Sequence, residues 1–99
     1  MGTRIYRSIG NVFRDVGFSA REAKNLLLRS ELMDHIEDLI ARRHLTQAAA
    51  AKLFGVTQPR VSDLVRGRID LFSIDMLVKM LAQAGVEVQL VVKRRRRVA

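Results

Sequence analysis

The sequence predicts a small all-α domain ended by a short β-strand. Three observations carry this. Helix-capping residues stand ahead of apolar residues at helical spacing. Residues 47–66 read as two short helices joined by a tight turn. One segment, from Val86 to Val92, alternates apolar and polar side chains. At 99 residues the chain makes one domain with one modest core. It divides into an arm over residues 1–18, a domain over 19–92 and a basic tail over 93–99.

The arm has apolar anchors without clear period (Ile5, Tyr6, Ile9, Val12, Phe13, Val16, Phe18), punctuated by Gly10 and Gly17. Ser19 and Glu22 then form a capping box, so a long helix should run to about Arg43. Its core stripe is Ala23, Leu26, Leu27, Met33, Ile36, Leu39 and Ile40. Leu28 and Leu32 widen it, which fits burial on two sides of its own fold or against a second subunit. Arg42 and Arg43 suit the negative end of the helix dipole.

Thr46 caps the next helix, and Ala51 is small enough for two helices to cross there. Gly55 ends that helix in a left-handed conformation, and Val56 fills the turn. Thr57 caps the following helix, Pro59 lies in its first turn, and Val61 and Leu64 face inward. Gly67 and Arg68 break the chain. Ser73 caps a helix over 74–84 with Ile74, Leu77, Val78 and Leu81 inward, and Gly85 ends it. Met33, Met76 and Met80 read as core filler. The strand over 86–92 has no strong partner in the chain. It is expected to pair with its own copy in a homodimer, with Ile5 to Ile9 as the competing partner.

The net charge of +8 is unevenly placed. Residues 1–41 are neutral. Residues 42–68 hold Arg42, Arg43, Lys52, Arg60, Arg66 and Arg68 against Asp63 alone, a net of +5. Residues 69–92 sum to −2, and the run Lys93 to Arg97 adds +5. The folded part's positive charge therefore coincides with the helical pair, as a protein that neutralises phosphates requires. The outward residues of the second short helix are Gln58, Pro59, Arg60, Ser62, Asp63 and Arg66. These are the features of a DNA-binding helix-turn-helix, whose second helix enters a major groove.

Each outward residue has a chemistry to offer. Gln58 can bond an adenine edge bidentately. Arg60 and Arg66 suit phosphate more than base, and Arg68 suits a phosphate just past the helix. Asp63 can accept from a cytosine amino group, or pair with Arg60 or Arg66. Thr57 completes the set. The basic tail is equally a second DNA contact or a solvated terminus.

Other chemistries find little support. There are no cysteines, and His35 and His44 lie nine apart without acidic residues at ligand spacing, so no metal is expected. Ser62 and Asp63 have no partner histidine in a triad-like pattern, and no glycine-rich phosphate loop exists, so neither an enzyme nor a cofactor is expected. The apolar runs are too short to span a bilayer, and Arg4, Arg7, Arg14 and Asp15 interrupt any signal peptide. A cytoplasmic protein without membrane partners is the expectation.

The chain resembles the Xre/phage-repressor class of lambda-repressor-like helix-turn-helix proteins, and more narrowly HigA-type antitoxins and their solitary relatives. The residues concerned are Asn11-Val-Phe-Arg-Asp-Val-Gly-Phe-Ser19, Leu45-Thr-Gln47, Gly55-Val-Thr-Gln-Pro-Arg-Val-Ser-Asp-Leu64, Gly67-Arg-Ile-Asp-Leu-Phe-Ser73 and the final strand, together about residues 11–92. The run Arg94 to Arg97 lies outside the pattern. The resemblance implies a dimer that binds a pseudo-palindromic operator and represses its own promoter. The alternative it implies is an antitoxin whose main task is neutralising a RelE-like toxin. Gln58, Pro59, Ser62 and Asp63 match the base-reading positions, and Gln47 the position that contacts phosphate. Pro59 cannot donate and Asp63 can only accept, which reduces the usual discrimination. A third reading is a nucleoid-type protein that binds DNA without sequence choice.

Overall fold

A computed structural model describes residue 17 and residues 19–94. Four helices and a 3-10 turn follow one another: α1 (Ala20–Arg42), α2 (Gln47–Phe54), α3 (Gln58–Val65), the turn Ile69–Leu71, and α4 (Ile74–Gln83). Each helix starts where a hydroxyl side chain satisfies a free backbone N–H. Ser19 Oγ accepts from Glu22 N at 3.1 Å, and Ser19 N donates to Glu22 Oε2 at 3.2 Å, a complete capping box. Thr46, Thr57 and Ser73 accept from Ala49, Arg60 and Met76 at 3.1, 3.3 and 3.1 Å.

The helix ends are equally local in origin. Gly55 adopts φ 68°, and Val56 N then donates back to Ala51 O at 3.0 Å. At the end of α1 the same device is built without glycine. His44 N donates to Ala41 O at 3.2 Å and Leu45 N to Ile40 O at 3.0 Å, with His44 itself at φ 51°. This is a Schellman motif, and its left-handed position is held by a residue that bears a Cβ.

The core joins all four helices. Ile36 of α1, Phe54 of α2, Val61 and Leu64 of α3, Phe72, and Leu77 and Leu81 of α4 are fully buried. Ala50 and Ala51 are buried between α2 and its neighbours, so the helices approach closely there. Met33 and Met80 belong to this core, and Met76 packs against it half-buried. In the α1 stripe Ala23, Leu26, Met33 and Ile36 are buried. Leu27, Leu32, Leu39 and Ile40 are half-buried, and Leu28 is exposed.

The expected strand over 86–92 is not present. Val86 folds back, with its N donating to Leu81 O at 2.9 Å, and packs on the core. Residues 86–94 then have no regular secondary structure. The physical reason is the missing ladder: an extended segment with no neighbouring strand has nothing to receive its backbone donors and acceptors. The described residues therefore form an all-helical fold. The arm lies outside the described residues except for Gly17, and so does the tail beyond Arg94. Lys93 and Arg94 are exposed.

Two predictions follow from α1. His44→Gly relieves the left-handed strain of about 1–2 kcal/mol, less about 0.5–1 kcal/mol for glycine's greater freedom when unfolded. Stability should rise by about 0.5–1 kcal/mol, read as a higher urea midpoint. The second concerns Glu37, whose carboxyl is held above its usual range by partial burial and then by the nearby Asp34 carboxylate. A raised folded-state pKa means this contribution is fully present at acid pH and is lost as pH rises through that value. Glu37→Gln should therefore raise the melting temperature at pH 7 and leave it unchanged below the ordinary carboxylate range.

Candidate nucleic-acid interface

Two buried side chains fix the orientation of α3. Val61 and Leu64 sit in the core at 1% and 0% exposure, so the opposite side of the helix must face out. Thr57, Gln58, Pro59 and Arg66 are exposed, and Ser62 and Asp63 half-exposed. Gln58, Ser62 and Arg66 succeed one another at intervals of four, and Pro59 and Asp63 form the adjoining row. Gln47 is exposed at the first residue of α2. Arg68 is exposed just beyond α3.

The electrostatics suit a polyanion. The first turns of α2 and α3 carry no acidic residue, whereas those of α1 and α4 carry Glu22 and Asp75. The positive ends of α2 and α3 are thus left unneutralised, and a phosphate is a fitting complement to such an end. Lys52, Arg66 and Arg68 are exposed cations of the surrounding segment. Arg68 Nε lies 3.9 Å from Asp70 Oδ1, with both side chains more than half exposed. A pair so long and so open holds little and leaves Arg68 able to turn to another anion.

Arg60 departs from expectation. It is half-buried, its Nη1 donates to Leu71 O at 3.3 Å, and its guanidinium lies 5.6 Å from the centre of the Phe72 ring. It is turned back onto its own fold. Asp63 forms no ion pair with Arg60 or Arg66 among the described residues. The structure thus brings Gln58, Pro59, Ser62, Asp63 and Arg66 onto one exposed side and draws Arg60 away from it.

One apolar residue of this helix was not legible beforehand. Val65 is 48% exposed, although a valine four residues after a buried valine ordinarily reads as core. Its neighbour Leu64 takes the inward place instead. An exposed valine there can meet a thymine methyl.

A second surface feature lies between α1, α4 and residues 86–90. It is a groove of about 780 Å³ with apolar walls that include Leu28, Leu32, Ile74, Val78, Val88 and Leu90. Glu31, Asp75, Glu87 and His35 also line it. Among the described residues no group of three or more His, Asp or Glu is placed to hold a metal ion. No described helix is long and apolar enough to cross a membrane.

Comparison with known proteins agrees with this geometry. A family described as "Helix-turn-helix domain" matches residues 12–93. A solved structure described as "Putative XRE Family Transcriptional Regulator" superposes with a TM-score of 0.71 at 30% identity, covering 79% of this chain and 91% of that one. Among curated proteins none matches significantly. The matched span takes in the capped helical pair, its glycine turn and the outward row of α3, and the chain belongs to the Xre-type helix-turn-helix proteins.

Proposed function

We propose that this protein is a DNA-binding transcriptional regulator, a repressor that binds a pseudo-palindromic operator as a homodimer. The observation that carries the reading is the exposed polar side of α3, held out by the burial of Val61 and Leu64. An eight-residue helix is about 12 Å long, and base pairs rise by about 3.4 Å, so α3 spans three or four of them. In this reading Gln58, Ser62 and Asp63 read base edges and Pro59 packs on them. Gln47, Thr57, Arg66 and Arg68 hold the backbone. Arg60, turned back onto Leu71 and Phe72, supports this surface from beside it. The XRE-type relative named as a transcriptional regulator supports the assignment.

The groove between α1, α4 and residues 86–90 favours a protein partner as well. In the homodimer a second copy meets residues 86–92, where Val88, Leu90, Val91 and Val92 are exposed apolar side chains. The second reading places a RelE-like toxin there and makes the protein an antitoxin, with regulation of its own promoter secondary. A basic, RelE-like product encoded by the adjacent reading frame would favour it.

Footprinting and mobility shift on DNA upstream of the protein's own reading frame test the main proposal. Two protected half-sites about 34–36 Å apart are expected. Gln58→Ala should weaken binding by about 1–3 kcal/mol and relax preference at one base pair. Arg66→Gln should weaken binding to all sequences alike and lower the salt slope by about one. Equal affinity for unrelated DNA at physiological salt would mean that no operator is read.

A further inference from the structure

The turn after α3 is gripped by two guanidinium groups from different helices. Arg29 of α1 donates through Nη1 to Ile69 O at 3.2 Å and to Phe72 O at 3.3 Å, and its Nε is anchored on Asn25 Oδ1 at 2.8 Å. Arg60 of α3 donates to Leu71 O at 3.3 Å and lies over the ring of Phe72. That ring is almost wholly buried, so it is a fixed platform. Three carbonyls of a four-residue segment are therefore held from outside it. The turn needs such support. A 3-10 turn of three residues has poor internal hydrogen bonds. Its own are Leu71 N to Arg68 O and Phe72 N to Ile69 O, at 3.0 and 3.2 Å.

Arg68 stands at the entry of this turn, and no other residue of the turn carries a positive charge. The chain between α3 and the turn is only Arg66, Gly67 and Arg68. The backbone path of Arg68 is thus set by α3 on one side and by the gripped turn on the other. Arg60 belongs to α3 and its side chain holds the turn, beside the backbone bonds from Arg68 N to Asp63 O and from Gly67 N to Leu64 O. Lysine cannot reproduce this. It lacks the planar fork that donates to a carbonyl while stacking on a ring.

We infer that Arg60 is a positioning residue: it reads no base and neutralises no phosphate, but sets the turn after α3 so that Arg68 meets the duplex backbone. This rests on the DNA-binding reading. The test is the salt dependence of binding to a duplex from upstream of the protein's own reading frame, for the wild type, Arg60→Gln, Arg68→Gln and the double variant. Each phosphate contact contributes about 0.9 to the slope of log affinity against log salt. Arg68→Gln should lower the slope by about one. Arg60→Gln should do the same, and the double variant should lose no more than either single one, because both remove the same contact.

Arg60→Lys keeps the charge and loses the fork, and should behave like Arg60→Gln. It also serves as the test should the glutamine variant fail to fold by circular dichroism. General destabilisation lowers the folded fraction and leaves the slope alone, so the slope separates positioning from mere stability. Losses that add to about two in the double variant would make Arg60 an independent phosphate contact and overturn the inference. So would a wild-type slope in Arg60→Lys, an unchanged slope in Arg60→Gln, or a changed base preference in Arg60→Gln. A wild-type protein that binds no duplex would instead refute the DNA-binding reading itself.

Discussion

A Cβ added at residue 55 would stand 3.1 Å from the Cγ of Gln83, in a backbone conformation of φ 68°. The reversal between α2 and α3 is tight and left-handed at Gly55 and lies against the side chain of Gln83 at the end of α4, and the fold is arranged around it. Given the reversal, α2 and α3 pack together beside buried Ala50 and Ala51, Val61 and Leu64 reach the core, and α4 packs on α1 and α2, with Leu77 and Leu81 in the same core. The outward side of α3 is a consequence of this packing. Gln58, Ser62 and Arg66 face out because Val61 and Leu64, on the opposite side of the helix, are committed to the core.

The polar groups of that surface divide their work. The helix ends supply unneutralised positive poles, since neither α2 nor α3 has an acid in its first turn. In the proposed reading Arg66 and Arg68 supply exposed charge at its far end and Arg60 supplies order. A guanidinium that already donates to a carbonyl and covers a buried ring has given up much of its freedom, and using it to meet DNA would mean breaking those contacts first. Under the proposed function this arrangement favours few base readers and a well-placed backbone contact, in keeping with an outward row that includes a proline and an aspartate.

What could be read from the sequence was what is local. The caps at Ser19, Thr46, Thr57 and Ser73, the glycine turn at residue 55 and the inward pair Val61 and Leu64 each depend on residues within one or two helical turns, and all were legible. The failures share an opposite cause. Residues 86–92 alternate as a strand does, but alternation states only which side chains share a face. A strand also needs a neighbour, which the expectation placed in a second copy and which the described residues of one chain do not supply. The contacts of Arg60 with Leu71 and Phe72 depend on the tertiary path of the turn, so its half-buried placement could not be read from a charge count. His44 gave no sign of ending a helix in the conformation that glycine usually takes.

The most direct test of the central claim is residue-resolved: amide shifts of the labelled protein on titration with the upstream duplex, followed by NMR. The account predicts that the large perturbations gather at residues 46–48 and 57–68 and that the groove beside Leu28 and Val78 stays unmoved by DNA. Perturbation centred on α1 and α4, with the outward row of α3 undisturbed, would contradict it.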